Sequence, residues 1–305
     1  MAARAHLISS LDGRFSFIDA GFRAGRREYA IWRDGAARLF NDLLEETAAR
    51  VFDAADGWRL LAARGLERLV VVAGSELLLV EEEALVVPDL TADAAAFVAD
   101  RLLVTAPAGD RHRVLLIDPA TAAVLDEATV DADQAIAFIT PHPTEPVALI
   151  DFGMGQDGSL AVRAEIEGDA LRVTEVLAGQ DPVIAGFNPS GTRLLVAPHP
   201  NDPDALRVLA WPSLDELGRL TEQQLECELG LGLAACWVDE DRIAGYAVEE
   251  SLVLADGRLA EPERVPLPVE FGDRGELESL LPLAPGRVAA GVWTPEGRST
   301  LVLEF

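Results

Sequence analysis

The chain has 305 residues, with 52 Asp and Glu against 25 basic residues, all of them arginine, for a formal charge of −27. Half of the residues are hydrophobic and 6 % are aromatic, enough for a large core built from Ala, Val and Leu and too much for a disordered chain. Apolar runs such as residues 69–73 and 77–80 fall far short of the ~18 residues that span a bilayer.

Charge and composition set the expected partners. A net charge of −27 disfavours nucleic acid, and nothing points to a membrane. Arg4, His6, Asp12 and Arg14 interrupt any apolar leader, so a soluble cytoplasmic protein is expected. Cys227 and Cys236 lie nine residues apart, which suits two buried thiols and neither a disulfide framework nor a zinc pair. The charge is uneven: residues 1–68 hold 11 Arg and 10 acids, and the remainder holds 14 Arg and 42 acids.

In chain order, residues 5–9 read as a strand that either opens the first unit or supplies the missing last strand of the final one; the second alternative is favoured. A second strand follows near Arg14 and a third near Arg27. Asp42-Leu43-Leu44-Glu45 reads as a helix cap, with Leu44, Ala48, Val51 and Ala55 on one face, which predicts a short helical insertion near 42–55. Beyond it a repeat takes over. Apolar runs led by arginine start at Arg68, Arg101, Arg193, Arg242 and Arg287. A small–small–aromatic pattern recurs at Phe97, Phe138, Phe187 and Trp237, spaced by 41, 49 and 50 residues. Third strands start near Arg27, Ser75, His112, Ser159, Ala205, Ser251 and Ser299, spaced by 48, 37, 47, 46, 46 and 48 residues. A more polar fourth piece follows six of them. Ser213-Leu214-Asp215-Glu216 reads as one further helical turn.

Four short strands per ~45 residues, joined by Gly, Pro and Asp turns, are the signature of a propeller blade. The expected fold is therefore all-β: a single seven-bladed β-propeller domain over residues 1–305, with about four antiparallel strands per blade. A β-sandwich is the competing architecture. An α/β fold lacks the dozen-residue helices it needs between strands.

The segment Phe187-Asn188-Pro189-Ser190-Gly191-Thr192-Arg193-Leu194-Leu195-Val196 resembles the inner hairpin of a WD-repeat-type propeller. The spacing covers the whole chain, while only this unit matches in residues. No Gly-His opens a blade and no Trp-Asp closes one, so the chain resembles a divergent member of that superfamily. The resemblance implies a rigid platform that binds other molecules.

The expected function is a non-catalytic interaction or scaffold propeller, with an acidic top face that takes a basic protein or peptide. Candidate binding residues on the top-face loops are Asp157, His199, Asp202, Asp204, Glu249 and Glu250. His112 shares that face, and His142 lies on the opposite one. A basic loop, Arg23, Arg26 and Arg27 with Arg33 nearby, is a candidate for an acidic peptide or phosphate, against ion pairing with Glu28 and Asp34. No catalytic motif, metal-ligand spacing or cofactor fingerprint stands out, so no cofactor or metal is expected. Two rivals remain: a propeller enzyme acting on a small molecule at the channel mouth, and an acidic nucleic-acid mimic that blocks a basic protein.

Overall fold

The computed structural model describes residues 4–13, 16–23, 26–52, 57–199, 205–226, 230–248, 251–269 and 275–305. It contains seven four-stranded antiparallel sheets, the blades of a seven-bladed β-propeller. They fall into two compact units, Ser16–Gly179 with four blades, and Gln180–Phe305 with Met1–Phe15, which hold three.

Strand β1 is His6–Asp12. Blade one is β2 (Ile18–Arg23), β3 (Arg26–Arg33), β4 (Ala36–Phe40) and β5 (Glu46–Val51). Blade two is β6 (Trp58–Arg64), β7 (Arg68–Ala73), β8 (Glu76–Val80) and β9 (Ala84–Val87). Blade three is β10 (Ala94–Val98), β11 (Arg101–Ala108), β12 (Arg111–Ile117) and β13 (Val124–Val130). Blade four is β14 (Ile136–Pro141), β15 (Val147–Gly153), β16 (Ser159–Glu167) and β17 (Ala170–Val176).

In the other unit, blade five is β18 (Val183–Phe187), β19 (Arg193–Ala197), β20 (Ala205–Ala210) and β21 (Glu216–Thr221). Blade six is β22 (Leu231–Trp237), β23 (Arg242–Ala247), β24 (Ser251–Asp256) and β25 (Glu263–Pro266). Blade seven is β26 (Glu276–Ala284), β27 (Arg287–Thr294) and β28 (Gly297–Glu304). Its outer strand is β1, paired antiparallel to β28 from His6↔Glu304 to Asp12↔Ser299. The N-terminal segment thus completes the last blade, as its sequence favours.

Second and third strands are the core. Leu69, Val70, Leu77, Leu102, Leu103, Leu115 and Leu116 are all within 1 % of complete burial. Residues on both faces of these strands are buried, so the strands read as unbroken apolar runs. Outer strands such as β5 and β13 are half exposed and alternate.

Three sequence expectations change. The helix near 42–55 is not there in the described part, residues 42–52. Asn41 Oδ1 accepts the Leu43 and Glu45 N–H groups at 2.9 and 3.0 Å, Leu44 turns through a positive φ of 57°, and β5 follows. The spacing that suggested a helix face is outweighed by this Asx turn and by cross-strand pairing of β5 with β4. Residues 213–215 likewise form a turn, with Leu214 at φ 62°. The one short helix among the described residues, α1, is Glu222–Leu225. A Thr221/Gln224 capping box starts it and Glu226 at φ 52° ends it. Finally, the strand starting near Arg27 is the second of blade one, β3, and not the third. The second strands at Arg26 and Arg68 are therefore a normal repeat apart, and no insertion is needed between them.

Candidate functional site

In a four-stranded meander, the second–third hairpin and the linkers to neighbouring blades share one end. The first–second and third–fourth hairpins share the other. In the four-blade unit the linker end carries Asp34, Asp89, Asp110, Asp131, Asp133 and Asp157, all exposed. Arg33 and Arg111 stand among them, paired at 3.3 Å with Asp34 and at 2.9 Å with Asp131. Asp157, the one candidate acid among the described residues, ends a single 3₁₀ turn at Gly155–Asp157 between β15 and β16.

His199 belongs to the three-blade unit and is 8 % exposed. It lines a small polar cavity of about 30 Å³ together with Gln180, Asp181, Pro198, Arg207 and Arg219. Arg207 and Arg219 sit directly opposite each other on β20 and β21. Like charges so placed repel, and side-chain acceptors answer both. Arg207 donates to Gln180 Oε1 at 2.6 Å, and Arg219 grips Glu216 at 3.0 and 2.8 Å. Arg219 holds the Glu216 carboxyl below the usual range. Asp202, Asp204, Glu249 and Glu250 lie outside the described residues.

The basic loop is the β2–β3 hairpin, in which Arg23 pairs with Arg26 in register; it is a first–second hairpin rather than a second–third loop. It therefore lies at the end opposite Asp34. Arg26 is exposed. Arg27 is committed to Asp19, which accepts from its guanidinium, and its ring neighbour is Tyr29 at 5.8 Å. Burial opposes the Arg27 charge, but Asp19 outweighs it and holds the guanidinium up; burial also pushes the Tyr29 phenol up.

His112 is no loop histidine. It is 1 % exposed at the start of β12 and forms a polar network inside blade three. Its Nδ1 lies 2.8 Å from Ala132 O, and its Nε2 lies 3.1 Å from Asp93 Oδ2. Asp93 Oδ1 accepts from Thr105 Oγ1 at 2.5 Å and from Ala94 N–H at 3.0 Å. A carbonyl only accepts, so Nδ1 carries a proton. The ring also packs on Phe152 of blade four, centroids 5.2 Å apart. His142, in a first–second hairpin as expected, is buried and accepts on Nδ1 from Glu145 N–H at 3.0 Å.

At the first–second hairpins of blades five and six lies a second network. Asn188 is fully buried, and its Nδ2 is 2.6 Å from Glu240 Oε1. Its Oδ1 accepts Arg193 N–H at 2.8 Å. Ser190 donates to Glu240 through both Oγ (2.6 Å) and N–H (3.0 Å). Arg193 donates to Glu240 O, to Gly257 O at 3.2 Å and to Asp241 at 2.9 Å, and stacks over Trp237 at 5.0 Å.

An aromatic trio at the linker end of blades one and two was not anticipated. Trp32, Phe52 and Trp58 are half-buried, with ring centroids 5.4 to 5.7 Å apart. One signal could have exposed it. Ala20-Gly21-Phe22 in β2 is a further copy of the small–small–aromatic pattern, and recognising it fixes the frame of blade one. Trp32 then falls at the end of a second strand and Trp58 at the start of a first one.

Among the described residues no group of three or more His, Cys, Asp or Glu is arranged to hold a metal ion. Cys236 is buried, and burial pushes its thiol up. No helix there is long and apolar enough to cross a membrane.

No family model matches the chain, and no curated protein matches it. Solved structures do. The chain is similar over its whole length to the C-terminal WD40 domain of Sif2, at 10 % identity and TM-score 0.59 over 99 % of that chain. It is similar to the Neurospora crassa Pan2 WD40 domain, at 10 % and 0.63 over 97 %. It is also similar to BBS1N in complex with ARL6DN, at 14 % and 0.60 over 98 %. These likenesses establish the WD-repeat-like propeller fold.

Proposed function

We propose that this propeller is a non-catalytic interaction platform whose acidic linker-end loops bind a basic segment of a partner protein. The observation that carries the reading is the row of exposed aspartates in the four-blade unit, Asp34, Asp89, Asp110, Asp131, Asp133 and Asp157. Carboxylates on the hairpins and linkers of one end meet a cationic chain together, and steer it as it approaches. One of the three similar structures is itself a complex of two proteins.

The test uses a labelled nona-arginine peptide as probe, read by fluorescence anisotropy at low and high salt. Neutralising four linker-end acids together (D89N, D110N, D133N, D157N) should weaken binding about tenfold or more at low salt. Neutralising four exposed acids of the opposite end (E82Q, E83Q, D100N, E145Q) should change it less than about twofold. Equal effects from the two sets would sink the proposal.

A further inference from the structure

The aromatic trio lies at the same end of the four-blade unit as the aspartates. Trp32 is the penultimate residue of β3, two before Asp34, whose side chain is 73 % exposed. Phe52 follows β5, and its N–H donates to Gly35 O at 3.1 Å. Trp58 opens β6. The three rings pack at interplanar angles of 31 to 47°, tilted and not parallel, and each retains exposure. Aromatics seal other blade boundaries too, but there Phe152 and Trp237 are fully buried, whereas Trp32, Phe52 and Trp58 all keep part of their surface in solvent.

One ring of the trio, Phe52, already holds a guanidinium. Arg50 sits over the Phe52 ring at 5.1 Å and donates to Leu66 O at 3.1 Å and to Glu81 O, both in hairpins of blade two. Arg50 is thus fixed within its own chain, and its position marks the rings as a surface that takes planar cations. Tryptophan presents the strongest such face. Guanidinium stacks on it better than ammonium does.

Resting on the acidic-loop reading above, we propose that Trp32, Phe52 and Trp58 form the anchor of that site and receive an arginine side chain of the basic partner. The aspartates gather the cationic segment, and the rings select arginine and fix its register.

The experiment follows 5-fluorotryptophan in the intact chain by fluorine NMR during titration with nona-arginine, with signals assigned by single Trp→Phe substitutions. Trp32 and Trp58 should shift along the binding curve, while Trp211, Trp237 and Trp293 hold still. Nona-lysine of equal charge should bind with a clearly smaller shift at the same two residues. Trp58→Leu should weaken nona-arginine about two- to fivefold, the worth of a half-exposed cation–π contact. Should that variant fold poorly, the fluorine shifts of the unaltered chain still decide. Peptide binding that leaves Trp32 and Trp58 unmoved, or equal shifts with nona-lysine, overturns the anchor and leaves the acidic loops standing. No peptide binding at low salt overturns both.

Discussion

Blade three and blade five solve the same problem differently. Each must tie a short four-stranded sheet to its surroundings with polar bonds. In blade three the network is internal: Asp93, from the linker, reaches Thr105 of β11 and His112 of β12, and His112 closes back on Ala132 O of the next linker. In blade five it points outward: Asn188 and Arg193 bind Glu240, Asp241 and Gly257 of blade six. The first locks a blade to itself at the linker end, and the second locks a blade to its neighbour at the hairpin end. WD-repeat propellers are recognised by one polar pattern repeated in every blade. Here different residues at different ends share that task, which is why the repeat is clear in spacing and faint in residues.

Breaking the internal network should have the largest effect. Asp93→Ala leaves the Thr105 hydroxyl and the His112 ring buried without their Asp93 partner, a loss of about 2–3 kcal/mol. Urea unfolding measures the total, and hydrogen exchange should place the loosening in β10 to β13. Loosening spread evenly over the chain would erase the distinction between the two networks. Asn188→Ala comes next, at about 2 kcal/mol, because a fully buried hub is lost while Ser190 still holds Glu240. Its exchange signature should span blades five and six together. Arg193→Met keeps the aliphatic stem over Trp237 and removes the charge-assisted bonds to Glu240 O and Gly257 O, for about 1 kcal/mol. If Arg193→Met proves as costly as Asp93→Ala, the outward tie is the stronger of the two.

The sequence carries the fold through what packing demands. Buried second strands must be apolar on both faces, so Arg68, Arg101, Arg193, Arg242 and Arg287 each lead a visible run. In blades three, five and six the aromatic of the first strand pairs with the residue just after that arginine: Phe97↔Leu102, Phe187↔Leu194 and Trp237↔Ile243. Phe138 fits the pattern in sequence but pairs with Asp151, three register positions from the hairpin-end pair Pro141↔Ala148, and stays 57 % exposed. In blade one the arginine-led run is β3 itself, and the third strand Ala36–Phe40 opens on Ala-Ala, so the third-strand spacing falls on Arg27 of β3 instead. That shift hid the aromatic trio and moved the basic hairpin to the wrong end. The Asp93–Thr105–His112 network was illegible for another reason. Its members lie 12 and 7 residues apart on three elements, and a histidine beside a Gly-Asp turn reads as solvated until β12 is seen to bury it.

The smallest expected effect concerns a tie that is neither internal nor at a hairpin. Asp126, on the outer strand of blade three, accepts the Leu171 N–H of blade four at 2.8 Å. That bond and a second one from Glu127 N–H hold its carboxyl below the usual range. A carboxyl depressed in the folded state stabilises fully above its unfolded value, near 4, and loses that contribution as pH falls through the lower folded value. The urea midpoint of Asp126→Ala should therefore lie below that of the unaltered chain at pH 6, and the gap should narrow as pH drops below about 4. Because the difference is taken between two chains that share every other acid, the remaining carboxylates cancel. A gap that stays constant down to pH 3 would mean that the loss comes from the shape of the side chain and not from its charge. The outer strands of blades three and four would then be joined at Asp126 by packing alone.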